Sequence, residues 1–324
     1  MHPSRDAAPL AAGGRLLVIG GTGFIGTQVR AVFAERGWRV TAVSRRPARG
    51  DDCRWLRMDV ANTAVDELVR VLLAERPEVV VNAAGAVWNV TEQQLAESNV
   101  RLVRRLVRAL AHLPWRPRLI HLGSVHEYGP VPPGESIGRD TPTHPISSYG
   151  RSKLRASEIV LDSVARWGVD GVVLRVANVS GPGAPLGSLL GNTAAALLAA
   201  TRSGGLATLR LAPLRARCDF IDVRDVATAV LATASAPVTG SVINIGRGEA
   251  VPVATLIEKL IDVSGTAARL VEEPQATSRS GGVSWQRVDV SEARRILGWA
   301  PRISLDDSIR ALWAAAVAAG DRAR

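Results

Sequence analysis

Tyrosine and lysine are rare in this chain, and one of each lies in the pentapeptide Tyr149-Gly-Arg-Ser-Lys153. The 324 residues include two tyrosines, and among the 40 Lys and Arg residues only two are lysines. Arginine replaces lysine well as a surface charge, but not where a compact ammonium is needed. Because residues i and i+4 share one face of a helix, Lys153 is expected beside the phenol of Tyr149, where its charge favours the ionised form. The pair therefore predicts a phenol that gives or takes a proton near neutral pH.

A glycine-rich turn near the start of the chain predicts a dinucleotide site. Residues 15–26 read as a short apolar strand that runs into the turn, and residues 27–36 have helical spacing. We expect Gly20 to make the turn, Gly23 to let the backbone approach a pyrophosphate, and Gly26 to let the helix pack on the strand. The residues predicted to bind the cofactor in this turn are Gly20, Thr22, Gly23, Phe24, Ile25 and Gly26.

The end of the second predicted strand, Trp38–Ser44, indicates which dinucleotide is bound. NAD-selective proteins place Asp or Glu about 20 residues after the glycines, on the ribose 2′-hydroxyl. This chain has Ser44, Arg45 and Arg46 there, and acidic residues follow only from position 51. A hydroxyl and two guanidiniums suit a 2′-phosphate, so NADP(H) is predicted over NAD(H).

Strands and helices alternate along most of the chain, which predicts an α/β fold. Further strands are expected at 55–60, 78–85, 118–124 and 171–176, and helices at 63–75, at 92–112 and around Tyr149. We predict a Rossmann-type doubly wound parallel sheet with a smaller C-terminal α/β substrate-binding domain. The predicted division is a loose tail at 1–14, a dinucleotide-binding domain at 15–180 to which 219–246 returns, and a cap of 181–218 and 247–324.

Composition excludes several classes of protein. No apolar run reaches the ~20 residues that cross a bilayer, so no membrane role is expected. Cys53 and Cys218 are far apart without metal-ligand spacing, which predicts a reducing cytoplasm and no metal site. The net charge of +10 is spread along the chain with no basic tract, so a phosphate-bearing small molecule is favoured over nucleic acid.

Taken together, the motifs resemble those of the extended short-chain dehydrogenases/reductases, the NAD(P)-dependent epimerase/dehydratase family. The matching segments are GGTGFIG (20–26), NAAG (82–85), GSVHEYG (123–129), YGRSK (149–153), LRVANVSGPG (174–183), CDFIDVRDVA (218–227), INIGRGE (243–249) and DVSEARRILGWAP (289–301). The resemblance covers nearly the whole chain and implies an enzyme that is commonly a homodimer.

Roles for individual residues follow from this resemblance. It makes Tyr149 the general acid/base and Lys153 the residue that binds the nicotinamide ribose and tunes the phenol. Ser124 would bind the reacting oxygen, and Asn99 would support proton relay. Further cofactor contacts are implied for Asp59, Val60, Ala83, Ala84, Gly85, Tyr149, Lys153 and Val176, and substrate contacts for Ser124, His126, Asn178, Arg217 and Arg279.

By the resemblance, the residues after Ser124 distinguish the dehydratases of this family from its reductases. By the resemblance, dehydratases carry an acid pair at the next two positions, whereas this chain has Val125 and His126. The string GSVHEYG and residues 214–227 are most similar to reductases of GDP-4-keto-6-deoxymannose and related nucleotide-sugar 4-ketoreductases. A net reductase also uses the NADPH pool, unlike an epimerase that retains NAD. Loop residues His126 and Glu127 are candidates for the substrate pocket.

One departure from the family pattern leaves the substrate open. The family places an arginine for the substrate diphosphate where this chain has Cys218, and a one-residue shift on a strand points Arg217 to the opposite face. A second family arginine is matched by Arg279, ten residues before Asp289. The sequence therefore favours an NADPH-dependent ketoreductase of a nucleotide-linked 4-keto-6-deoxysugar. An NAD-dependent nucleotide-sugar epimerase, a reductase of a non-sugar ketone and a non-enzymatic dinucleotide sensor remain alternatives.

Overall fold

The computed structural model describes residues 13–47, 53–85, 91–273 and 283–322. In chain order the strands are β1 (Arg15–Ile19), β2 (Arg39–Ser44), β3 (Arg54–Arg57), β4 (Val79–Asn82), β5 (Arg118–Ser124), β6 (Gly171–Val176), β7 (Asn178–Ser180), β8 (Ala207–Leu211), β9 (Arg217–Cys218), β10 (Phe220–Asp222), β11 (Val242–Ile245), β12 (Val251–Pro252), β13 (Ala268–Glu272) and β14 (Trp285–Gln286). The α-helices are α1 (Phe24–Glu35), α2 (Val65–Glu75), α3 (Glu92–Leu95), α4 (Leu102–Ala111), α5 (Ser148–Trp167), α6 (Leu189–Ser203), α7 (Val223–Ser235), α8 (Val253–Ser264), α9 (Ser291–Leu297) and α10 (Leu305–Arg322).

Seven of these strands form one parallel sheet in the order β11-β6-β5-β4-β1-β2-β3. The order reverses between β1 and β4, and the first βα turn follows β1 at that point. In a doubly wound sheet, ligands bind outside the carboxyl ends of the strands where the order reverses. The predicted Rossmann-type α/β fold is confirmed.

Helices cover both faces of the sheet, which explains why its central strands are buried on both sides and mostly apolar. Every residue of β4, β5 and β6 is buried. One apolar cluster joins the sheet to α1 and α7, and a second joins it to α2, α4 and α5. The sheet is therefore a rigid base, and it fixes where its strand ends and the helices after them lie.

A third apolar cluster lies outside the sheet and joins α6, α8 and α10. Near it, β8 pairs with β13, and the short strand β9 lies between β12 and β14. The strand β11 returns to the main sheet beside β6. The domain boundaries predicted from the sequence remain a prediction.

The bounds of several elements differ from the prediction. The strand expected at 78–85 ends at Asn82. The strand expected at 55–60 ends at Arg57, because the Asp59 carboxylate accepts hydrogen bonds from Ala61 N at 3.2 Å and Asn62 Nδ2 at 2.9 Å and forms a turn. The helix expected at 92–112 contains a π-helical segment, Ala96–Arg101, between α3 and α4. Such segments shift the face that later side chains present, and sequence periodicity does not reveal them.

Candidate active site

A cavity of about 260 Å³ lies at the carboxyl ends of β1, β2 and β4. Ten of the residues predicted to bind the cofactor line it: Gly20, Thr22, Gly23, Ser44, Arg45, Asp59, Val60, Ala83, Ala84 and Gly85. The lining residues that the sequence did not suggest are Ile19, Val43, Met58, Ala61, Ser98 and Leu102. Ser98 belongs to the π-helical segment, so its place at the cavity depends on the helical irregularity described above.

The geometry of the glycine turn fits a dinucleotide phosphate. Gly20 has φ +82°, and a Cβ there would lie 2.7 Å from the backbone nitrogen of Ala84. A Cβ on Gly26 would lie 2.2 Å from the Gly20 carbonyl oxygen, so only glycine allows α1 to start this close to the turn. Gly23 precedes α1 and has no side chain to cap it, which leaves the first N–H groups of the helix for an anion.

The end of β2 presents Arg45 to this cavity. Ser44 Oγ lies 3.1 Å from Thr22 Oγ1 and 3.2 Å from Arg46 N, so the end of β2 is joined to the glycine turn. Both Arg45 and Arg46 are exposed, but only Arg45 lines the cavity. Of the two arginines, Arg45 is therefore the better placed for a 2′-phosphate. Asp59 also lines the cavity, but its carboxylate is engaged in its own turn.

Ser124 lies at the end of β5, opposite Val176 of β6. It begins a 3₁₀ turn, Val125–Glu127, and its hydroxyl accepts a hydrogen bond from His126 N at 3.3 Å. The His126 ring lies edge-on to the ring of Tyr149, with 5.8 Å between centroids. The turn after β5 thus brings Ser124 and His126 to the first turn of the helix that carries Tyr149.

The predicted Tyr149–Lys153 helix is present as α5. Ser147 caps it by accepting a hydrogen bond from Gly150 N at 3.0 Å. A Cβ on Gly150 would lie 2.4 Å from the His126 carbonyl oxygen, so this glycine permits the close approach of α5 to the turn. Lys153 is buried one turn beyond Tyr149, and its ammonium donates to the Leu122 carbonyl oxygen of β5.

Asn99 connects the cofactor cavity to the start of α5. Its side chain is buried in the π-helical segment, and Nδ2 donates to Ser152 Oγ at 2.9 Å. Ser152 in turn donates to the Tyr149 carbonyl oxygen at 2.8 Å. A Cβ on Gly85 would lie 2.9 Å from Asn99 Oδ1. The arrangement holds the turn of α5 that bears Tyr149, and the role of Asn99 in proton relay stays a prediction.

A buried polar pair that the sequence did not suggest lies beneath these groups. Asn82 Oδ1 accepts from Ala84 N at 3.2 Å, so its Nδ2 donates to His121 Nδ1 at 3.0 Å. Burial first, and then the charge of Lys153, lower the pKa of His121 well below its ordinary value. His121 is therefore neutral, and the pair links the surroundings of Lys153 to the cavity wall at Ala84.

The predicted substrate residues Asn178 and Arg217 lie on different strands, β7 and β9. Asn178 Nδ2 donates to the Asp219 carbonyl oxygen and to Gln286 Oε1, both at 3.1 Å, which leaves its Oδ1 for any substrate contact. Arg217 is exposed on β9 and Cys218 beside it is buried, so the two side chains do face opposite ways. Burial, with a smaller effect of Asp219, raises the pKa of the Cys218 thiol to about 11, so it carries no charge. Arg279 lies outside the described residues.

Among residues 13–47, 53–85, 91–273 and 283–322, no helix has the length and apolar character needed to span a membrane. Within the same ranges, no group of three His, Cys, Asp or Glu side chains is placed to hold a metal ion.

The fold and the site define an NAD(P)-dependent enzyme of the extended short-chain dehydrogenase/reductase type. The model of the NAD dependent epimerase/dehydratase family matches residues 16–246. The chain belongs to this family.

Individual relatives support the assignment. The chain is 41% identical over 309 residues to the dTDP-6-deoxy-L-talose 4-dehydrogenase (NAD(P)(+)) of Kitasatospora kifunensis, covering 95% of this chain and 97% of that one. It is 28% identical to the GDP-6-deoxy-D-mannose reductase of Pseudomonas aeruginosa, over 92% of this chain and 95% of the other. The structure of RMD from Pseudomonas aeruginosa complexed with NADPH has the same fold, with a TM-score of 0.80 at 24% identity, covering 94% of this chain and 99% of that one.

Proposed function

We propose that the protein is an NADPH-dependent ketoreductase that acts on the 4-keto group of a nucleotide-activated 6-deoxyhexose and catalyses the reverse oxidation of the 4-hydroxyl. The observation that carries the proposal is that α5 is joined to the end of β5, through the bond from Lys153 to the Leu122 carbonyl oxygen and through the contact of the Tyr149 ring with His126, whose N–H bonds to Ser124. The names of the two relatives, a 4-dehydrogenase and a reductase of nucleotide-linked 6-deoxyhexoses, support the same chemistry.

The proposed reaction uses groups that the chain itself positions. When bound, NADPH supplies the hydride for the carbonyl carbon. The Ser124 hydroxyl donates a hydrogen bond to the carbonyl oxygen and stabilises the charge that develops there. The Tyr149 phenol donates its proton to the same oxygen, and the Lys153 ammonium stabilises the phenolate that remains. In the oxidative direction the same groups remove the proton from the hydroxyl.

Dehydration is disfavoured by the residues after Ser124. Val125 is fully buried and has no acid or base to offer, and the next side chain is the imidazole of His126. Elimination of water needs a general acid and a general base placed on the sugar. A single redox step at one carbon needs only the one acid/base that Tyr149 supplies, so it fits this turn better.

Three finer assignments belong to the same proposal. Arg45 at the cavity supports NADPH over NADH. The higher identity to the dTDP-linked relative supports dTDP as the nucleotide. We also expect a cytoplasmic homodimer, in line with the resemblance to the family and with two cysteines that are not joined by a disulfide. Size-exclusion chromatography of the purified enzyme tests the dimer.

The experiment that tests the function supplies dTDP- and GDP-linked 4-keto-6-deoxyhexoses with NADPH or NADH. We expect stoichiometric oxidation of NADPH and a 6-deoxyhexose nucleotide as product, with the dTDP substrate preferred. Tightly bound NAD in the purified protein, with interconversion of sugars and no net use of NADPH, would identify an epimerase and refute the proposal.

A reductase of a ketone without a nucleotide is the second candidate. The neutral, buried thiol of Cys218 favours it, because this position offers no cation to a diphosphate. Cys218→Arg separates the two candidates. With a nucleotide substrate the new guanidinium should lower KM, whereas with a neutral ketone it puts an unpaired charge near the pocket and should lower activity.

A further inference from the structure

A fully buried carboxylate lies beneath Ser124. Glu127 ends the 3₁₀ turn that follows Ser124, and its side chain is 0% exposed. Its Oε1 accepts hydrogen bonds from Ser124 N at 2.8 Å and from Ser157 Oγ at 3.0 Å. The proposed proton transfer has no use for this carboxylate, and burying a charge is costly unless it is paired and hydrogen-bonded. Its position therefore needs an explanation.

The single oxygen Oε1 joins the two elements that carry the reacting groups. Ser124 ends β5, whereas Ser157 belongs to α5. Tyr149, Lys153 and Ser157 follow one another at intervals of four residues, so they lie along one face of that helix. The ammonium of Lys153 also bonds to β5, through the Leu122 carbonyl oxygen. Two successive turns of α5 are thus tied to the end of β5.

Arg175 pairs with the second oxygen of this carboxylate. Its Nε donates to Glu127 Oε2 at 2.7 Å, and its guanidinium stacks 4.5 Å from the Tyr128 ring centroid. Burial opposes the charge of Arg175, but Glu127 and Tyr128 outweigh it, and the pKa of the guanidinium is raised. The Tyr128 hydroxyl donates to Asn244 Oδ1 at 2.8 Å, so the network extends to β11.

The backbone around Glu127 leaves room for the carboxylate and little else. A Cβ on Gly123 would lie 2.6 Å from Glu127 Oε1, so the residue before Ser124 has no side chain in that space. With both oxygens engaged by donors on three different elements, the carboxylate has one position. Because the carboxylate is held at both oxygens, it also holds Ser124 and Ser157 in fixed positions relative to each other.

We propose that Glu127 is a positioning residue, whose Oε1 fixes Ser124 relative to the α5 face that presents Tyr149 and Lys153. The inference rests on the proposed ketoreductase function. In that reaction two donors, the Ser124 hydroxyl and the Tyr149 phenol, must meet one substrate oxygen. Misplacement of reacting groups by about 1 Å can cost about 100-fold in rate, so a rigid tie between their two elements has a catalytic consequence.

The test removes the hydrogen bond between Ser157 and Glu127 and leaves the ion pair of Glu127 with Arg175 in place. Glu127→Ala would leave Arg175 buried without its partner and threatens folding. Ser157→Ala deletes only the hydroxyl on α5. Ser163→Ala is its matched control, because Ser163 is also buried in α5 but donates to Val160 O of its own helix at 2.6 Å.

Wild type and both variants are compared in NADPH-dependent reduction of a dTDP-linked 4-keto-6-deoxyhexose and of phenanthrenequinone, a diketone without a nucleotide. Turnover is divided by the number of NADPH-binding sites, so that a loss of folded protein does not count. We expect Ser157→Ala to lower kcat about 10- to 100-fold with KM and NADPH affinity nearly unchanged, and Ser163→Ala to stay within about twofold of wild type. The kinetic isotope effect with NADPH deuterated at the transferred position should rise only in Ser157→Ala, because hydride transfer becomes slower.

Three other outcomes would contradict the role of Glu127, the nucleotide-sugar substrate or the reductase function. Equal turnover and equal isotope effects in the two serine variants would overturn the role of Glu127, whatever the substrate. If the wild type reduces the diketone but not the sugar nucleotide, the nucleotide-sugar substrate is refuted. The two serine variants can then still be compared with the diketone as substrate. No reduction of either ketone by the wild type would overturn the reductase and the role of Glu127 together.

Discussion

Arg45 should contribute most of the preference for NADPH over NADH. It lines the cavity beyond β2, beside Ser44 and Thr22, whereas Arg46 lies outside the lining. A hydrogen bond to a charged group contributes about 1.5–3 kcal/mol. Because Arg45 is exposed to solvent, the lower part of that range, about 1.5–2 kcal/mol, is the better estimate. Arg45→Ala should therefore raise the Kd of NADPH about 10- to 30-fold.

The same geometry predicts what the neighbouring variants do. Arg46→Ala should cost about 0.2–1 kcal/mol, at most about fivefold in Kd, as expected for an exposed pair. Arg39→Ala is the matched control, because it removes the same charge from the other end of β2. At about 3.3 Å per residue it lies about 17 Å from Ser44, beyond the screening length of about 10 Å at 0.1 M salt. Its NADPH affinity should stay within about twofold of wild type.

Fluorescence titration of each variant with NADPH and NADH at about 0.1 M salt measures these constants. NADH has no 2′-phosphate, so its Kd should change by less than about twofold in Arg45→Ala. Added salt should weaken NADPH binding to the wild type more than to the variant. Equal losses for both cofactors, or an Arg39→Ala loss as large as that of Arg45→Ala, would show that Arg45 supplies only general positive charge.

Three further predictions concern other parts of the molecule. Tyr149→Phe should lower turnover about 100-fold or more while NADPH binding survives, and unchanged steady-state turnover would remove the phenol from the reaction. Gly26→Ala should abolish NADPH binding in calorimetric titrations, because its Cβ would overlap the Gly20 carbonyl oxygen; wild-type affinity would contradict this geometry. Burial raises the pKa of Asp219 from 3.8 to about 6, outweighing three backbone N–H bonds. The folded state therefore retains a proton that the unfolded chain loses between about pH 4 and 6, so urea-measured stability should fall by up to about 3 kcal/mol as pH rises through that window. Asp219→Asn should lack this decrease, and an identical pH profile in the variant would exclude Asp219 as its source.

Local spacing made much of the site predictable from the sequence. The positions of Gly20, Gly23 and Gly26 in the turn, and the shared helix of Tyr149 and Lys153, depend on contacts a few residues apart. Their relation to the sheet follows from the general rule that ligands bind at the carboxyl ends of parallel strands. This is why ten predicted cofactor residues line one cavity.

The features that the sequence did not reveal depend on long-range pairing. Glu127 was expected to face the substrate, but its carboxylate is buried against Ser157 and Arg175. These partners lie 30 and 48 residues away, and neither side chain signals the contact by its type. The placement of Ser98 at the cavity depends on a π-helical segment, whose extra residue per turn leaves no mark in the apolar pattern.

The scarcity of lysine acquires a structural explanation at Lys153. The other lysine, Lys259, pairs with Asp306 at the surface, where an arginine would serve as well. Lys153 is buried between α5 and β5, bonded to the Leu122 carbonyl oxygen and next to neutral His121. A guanidinium is larger and planar and needs several acceptors, whereas the acceptor bonded to Lys153 is a single carbonyl oxygen. Burial between α5 and β5, with one carbonyl oxygen as acceptor, therefore favours an ammonium over a guanidinium at this position, even in a chain that otherwise uses arginine.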